Sequence, residues 1–245
     1  MNYILFGDVN TMNYGAYVFR KSTYAAPAQE YIVQTIPGKN GSLLMRNHRF
    51  PDVPMVFSVV IPEDFATNYT ALISALLSKN GYQRLYYSED ADEENYVYYE
   101  CYLGSGIDPI VAQQEGMGKF DLTFIRKAQV FLESGETSTF IYRNSTITNP
   151  TKFESAPLLR ITGVGQVGIN DSTITVLEAD DETIDDYTDI DCEIGEAYHD
   201  STAYPKNQYI QLSGIDYPKL MPGANRITLG TGITSVKVMP RWWHL

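Results

Sequence analysis

Ser235-Val236-Lys237-Val238-Met239-Pro240-Arg241-Trp242-Trp243-His244-Leu245 is the stretch on which the fold turns. Its first four residues alternate out-in-out-in, the period of a half-buried strand. It closes on both tryptophans of the chain, where a terminus ordinarily frays into polar residues. The segment reads as a final strand tied into a core, and the chain as β-rich and ordered to its last residue.

The same signature recurs upstream. Phe140–Arg143, Leu158–Thr162, Gln166–Ile169, Thr173–Leu177, Asp189–Ile194, Gln208–Leu212 and Arg226–Leu229 are short β-branched or aromatic runs. With Ser235–Met239 they form a series broken by turn residues, which indicates a β-sandwich. Asn170-Asp171-Ser172 joins two alternating runs as a hairpin. Nearer the start, Tyr31–Ile36, Met55–Ile61, Arg84–Ser88, Tyr96–Leu103 and Phe120–Phe124 read as strands. A helical period occurs between Asn68 and Gly81, with Tyr69, Leu72, Ile73, Leu76 and Leu77 on one face. There Thr67 or Asn68 would cap the start, Lys79 would favour the C-terminal dipole and Gly81 would supply a left-handed stop. Ser134–Thr139 is small and polar and reads as a linker. The expectation is mainly β: an N-terminal β domain over 1–135, with one α-helix near 68–80, and a β-sandwich over 136–245.

Bulk properties bound the function. A chain of 245 residues with 44% apolar and 20% charged residues suits one large or two small soluble domains. No apolar run is long enough to span a bilayer, and Met1–Asp8 lacks a cationic leader, so neither membrane span nor signal peptide is expected. Thirty acidic against 18 basic residues give a net charge of −12. Without a basic stripe, such a surface disfavours specific nucleic-acid binding.

Motifs for chemistry are weak. Gly163-Val164-Gly165-Gln166-Val167-Gly168 matches a dinucleotide fingerprint but runs into a strand, with no helix to hold pyrophosphate. Glycines at a strand edge or bulge explain it better. The acidic run 180–191 could ligate Ca²⁺ but lacks EF-hand spacing, and a solvated loop is the favoured reading. His48, His199 and His244 are scattered, and Cys101 and Cys192 read as buried thiols. No catalytic, cofactor or metal residue is assigned, and the chain is read as no enzyme. Leu43–Pro54 is different. Two prolines, two arginines and exposed Met and Phe suggest either an extended arm or a long surface loop, and Met45, Arg46, Arg49 and Phe50 are the candidate interface residues of the arm reading.

Several phrases in fixed order resemble the distal tail proteins (Dit) of long, non-contractile-tailed phages that infect Gram-positive bacteria. They are Ile36-Pro37-Gly38-Lys39-Asn40-Gly41, the amphipathic helix, the Tyr-rich strand Tyr96–Tyr102 and Gly118–Leu132. Then come Asn149-Pro150, Ser155-Ala156-Pro157-Leu158-Leu159 with Gly163-Val164-Gly165, Asp189–Glu193, Tyr217–Asn225 and the Pro-Arg-Trp-Trp ending. Within Gly118–Leu132, Ala128 stands where the family customarily has proline, so that phrase matches in part. The resemblance implies a tail-tube-like N-terminal domain with one helix and a C-terminal galectin-like β-sandwich. It implies a homohexameric ring in the virion tail tip, assembled in the host cytoplasm and pierced by a channel for DNA. Its partners would be the tail tube protein, a tail-associated baseplate or fibre protein and, as a further candidate, a receptor-binding protein. No cofactor is implied. A ring of one chain needs a head-to-tail interface whose rotation closes, and an arm laid on the neighbour would enlarge it. Two other classes stand beside this one: a soluble carbohydrate-binding β-sandwich protein, with tyrosines as stacking platforms for cell-wall glycan, and a glycan hydrolase using two facing carboxylates. No particular pair is singled out.

Overall fold

The computed structural model describes residues 2–21, 25–47, 49–90, 96–104, 110–112, 116–178 and 187–245. Among the described residues the fold is mostly β with one α-helix, and the sheets are antiparallel and open. It divides into two compact units, Met1–Val130 with Leu245, and Phe131–His244.

In the first unit, strands run in the order Val9–Asn10, Ile4–Phe6, Gln83–Tyr87, Val97–Leu103, Met117–Leu132, Val53–Ile61, Tyr17–Lys21. The central pair sets the register, with Leu122 opposite Phe57 and Phe124 opposite Met55. Alternation puts Met55, Phe57, Val59 and Ile61 on the same buried face as Phe120, Leu122 and Phe124. The helix Phe65–Leu77 covers this face through Phe65, Leu72 and Leu76. Phe65 stacks on Tyr69, and both pack against Phe120. Gly118 makes this possible, because a Cβ there would lie 2.3 Å from the Phe65 ring.

The helix is shifted from the expected 68–80. Its first turn is set by tertiary packing: Phe65 is buried and its N–H donates to the Gly116 carbonyl at 3.0 Å. Asp64, at φ 47°, is the cap residue and its carbonyl accepts from the Asn68 N–H. Asn68 therefore lies inside the first turn. The helix stops at Leu77, which is 64% exposed and off the buried face. Lys79, past that end, pairs with Asp8.

The second unit is a two-layer sandwich. One sheet runs Thr139–Ile141, Ile233–Met239, Leu158–Gly163, Tyr187–Asp191, Glu196–His199, Ser201–Pro205. The other runs Ser145–Asn149, Gly223–Leu229, Gly165–Ile169, Ser172–Val176, Ile210–Leu212. Leu159, Ile161, Ile190, Val236 and Val238 from the first sheet meet Val167, Ile169, Ile174 and Ile227 from the second in one buried core. The segment Ser134–Thr139, expected as a linker, lies just past the boundary between the units at Val130/Phe131. Glu133–Gly135 forms a 3-10 turn, and Gly135 is buried so tightly that a Cβ would lie 2.3 Å from the Trp242 nitrogen.

Candidate assembly surface

Tyr31–Thr35 and Ser42–Arg46 pair as an antiparallel hairpin belonging to none of the three larger sheets. Its tip is Ile36-Pro37-Gly38-Lys39-Asn40-Gly41, closed by the Lys39 N–H donating to the Ile36 carbonyl at 3.2 Å. Gly38 and Gly41 have φ of 78° and 85°, with nothing within 4 Å of a Cβ. Backbone conformation, not crowding, requires glycine at both. At the root, the Asn47 N–H donates to the Glu30 carbonyl and the Glu30 N–H to the Arg49 carbonyl.

The register decides what this arm presents. Tyr31, Val33, Leu44 and Arg46 share one face; Ile32, Gln34, Leu43 and Met45 share the other. Apolar residues thus lie on both faces, the composition of strands buried on both sides. Yet every residue from 28 to 47 is exposed in the single chain. The large apolar side chains of the arm are open by between 37% at Ile36 and 61% at Val33. A lone two-stranded hairpin is marginal in water, and contiguous apolar patches of this kind mark interaction surfaces.

The four residues expected at the interface split by position. Met45, opposite Ile32, and Arg46, opposite Tyr31, lie on the arm itself. Arg49 and Phe50 stand at its root, where Arg49 faces Glu30 at 3.8 Å and Phe50 is half-buried. The extended arm expected over 43–54 is thus a hairpin that begins near Glu30, and its partner strand supplies Ile32 and Val33. Their signal in the sequence was three successive apolar residues, Tyr31-Ile32-Val33, without alternation.

The other candidates resolve into packing. At Gly163, Gly165 and Gly168 a Cβ would lie 2.2 to 2.4 Å from Gly232 O, Thr231 O and Thr228 Oγ1, and the register slips between Thr162 and Gly163. These glycines let strands approach. Burial pushes the Cys192 thiol up to about 12 and raises that of Cys101 further, so neither is a thiolate at neutral pH. His48 and residues 180–186 of the acidic run lie outside the described residues. Among the described residues no three His, Cys, Asp or Glu side chains converge as a metal site, and no helix is long and apolar enough to cross a membrane.

The phrases of the resemblance from Asn149 onward meet in the second unit as structural ties. Arg241 clasps Asp191 with two hydrogen bonds, at 2.7 and 2.8 Å. Burial would raise the Asp191 carboxyl, but the Arg241 bonds and charge prevail and hold it below its ordinary value. Asn225, fully buried, accepts from the Met221 N–H and from Asn170, and donates to the Met221 and Gly223 carbonyls. Asn149 donates to the carbonyls of Phe153 and Leu220, while Ser155 Oγ donates to that of Pro240. Trp242 is buried, and Trp243 stacks on Phe153 at 4.5 Å.

No protein-family model and no curated protein matches the sequence. Solved structures do. SPP1 Dit (gp 19.1), a paradigm of the hub adsorption apparatus in Gram-positive infecting phages, aligns over 100% of both chains at 12% identity with a TM-score of 0.65. Chains of the phage P2 baseplate in its activated conformation with Ca and with Sr align over 97% of this chain and 96% of theirs, each at 14% identity. Their TM-scores are 0.52 and 0.50. Over its whole length, the fold of this chain is Dit-like.

Proposed function

We propose that this protein is the structural hub of a phage tail tip. Six copies close into a ring that joins the tail tube to the tail-associated adhesion device and leaves a passage for DNA. The role needs no catalysis. The first unit forms the ring, and the second, read as a galectin-like sandwich, faces the baseplate or fibre proteins. The likeness to the SPP1 hub protein supports the class of role. The observation that carries the assembly is the arm, an apolar hairpin uncovered on both faces.

Energetics favour a closed assembly, such as a ring, over an open one. Covering seven half-exposed apolar side chains contributes on the order of 7–10 kcal/mol gross. Association costs about 4–15 kcal/mol, so one arm alone is marginal. In a closed head-to-tail ring every copy both gives and receives an arm, and no arm is left uncovered. Met45 and Arg46 then lie in the interface with Ile32, Val33, Leu43 and Leu44, while Arg49 and Phe50 fix the angle at which the arm leaves.

The double substitution Val33→Asp, Leu44→Asp charges one face of the arm without touching either core. The expected product is a folded monomer with the far-ultraviolet spectrum of the parent. An assembly of unchanged mass would discard the arm as the interface.

A further inference from the structure

Thr139–Ile141 ends the six-stranded sheet and Ser145–Asn149 ends the five-stranded one, and only residues 142–144 separate them in the chain. One continuous stretch thus forms a free edge of both layers. Among the described residues each strand pairs on one side alone, with Ile233–Met239 and with Gly223–Leu229 respectively. Open edges are ordinarily blunted by charged side chains, above all Lys, or by Pro. Residues 139–149 contain no Lys, Asp, Glu or Pro and a single charge, Arg143. Phe140 and Tyr142 are 55% and 69% exposed, with their rings stacked at 6.2 Å. Thr146 and Thr148 are exposed as well.

Charge singles out what would pair there. Arg226 stands directly across from Thr146, and Lys237 across from Phe140. The two strands that carry them, like residues 139–149, hold no Asp or Glu. In a chain of net charge −12 this is a segregated cationic border. The far half of the six-stranded sheet has the opposite sign, with Asp189, Asp191 and Glu196 on Tyr187–Asp191 and Glu196–His199. We infer that Ser145–Asn149 docks an extended acidic segment of a partner protein, which adds a strand to the five-stranded sheet. Main-chain hydrogen bonds to the open edge supply attachment without demanding one particular sequence. Carboxylates on the added strand meet Arg143 and Arg226, which selects acidic over basic segments. Phe140 and Tyr142 offer an apolar contact to residues that run on past Ser145. A nucleic acid has phosphates for the three cations but no amide edge to extend the sheet.

The test uses the full chain and three probes in fluorescence anisotropy: a capped octapeptide of alternating valine and glutamate, its lysine counterpart, and oligothymidine. The glutamate peptide is expected to bind. Hydrogen exchange should then slow in Ser145–Asn149 and stay unchanged in Ser201–Pro205, the strand at the far end of the other sheet. Arg143→Glu with Arg226→Glu, both at exposed positions, should weaken binding at least about tenfold. Val33→Asp with Leu44→Asp should leave it unchanged, which separates this edge from the arm. No binding of the glutamate peptide, equal binding of the lysine peptide or of oligothymidine, or protection that misses residues 145–149 overturns the assignment. So does binding undiminished by the two charge reversals.

Discussion

Two hairpins of this molecule have the same size and opposite fates. Gly165–Ile169 with Ser172–Val176, and Tyr31–Thr35 with Ser42–Arg46, each make five antiparallel residue pairs. In the first, Val167, Ile169, Ile174 and Val176 alternate with polar or small residues, and all four are buried. In the second, apolar residues occupy both parities, and all are exposed. A one-sided layer can hide only one parity. The first hairpin is therefore complete within its own chain, whereas the second is complete only when something covers it on both sides.

The sharpest way to break this comparison is to cut both hairpins equally. Ile174→Ala is expected to cost about 2–5 kcal/mol of unfolding free energy. Leu44→Ala is expected to change monomer stability by less than about 0.5 kcal/mol while weakening assembly. Denaturant titration beside sedimentation separates the two effects, and equal stability losses would erase the distinction. Next in size is Asn225→Ala, which strands the buried Met221 and Gly223 groups and is expected to cost about 1–3 kcal/mol. Calorimetry of the second unit's transition reads it.

The pH dependence comes third. The folded Asp191 carboxyl titrates below its ordinary value, so its stabilising contribution is present above the unfolded value of about 3.9 and is lost as pH falls through the folded value. The melting temperature of the second unit should fall as pH drops below about 4, and Asp191→Asn should flatten part of that slope. Smallest is Arg49→Ala. Its exposed pair with Glu30, at 3.8 Å, is worth at most about 1 kcal/mol, so chemical denaturation should scarcely register it.

What could be read in advance follows the same division. The sandwich strands were legible because one-sided burial writes itself as period two, as in Ile190 and Val238. The helix was legible through Leu72 and Leu76, but its start was not, since Phe65 is held by the distant Gly116 and Gly118. Strands such as Ile4–Phe6 and Tyr17–Lys21 are too short for a period to show and are fixed by pairing with partners far along the chain. Within Ser134–Thr139, read as a linker, the close approach of Gly135 to the Trp242 main chain leaves no mark in composition. On the arm proposed as the assembly surface, Met45 and Arg46 stood out by residue type. Ile32 and Val33 did not, because an unalternated apolar run reads first as an interior strand.

Native mass spectrometry of the purified chain, at protein concentrations raised stepwise, tests the central claim most directly. The account predicts a closed species of six times the 27.6 kDa chain mass, collapsing to one chain when Val33 and Leu44 become Asp. A parent protein that remains at 27.6 kDa throughout would contradict it.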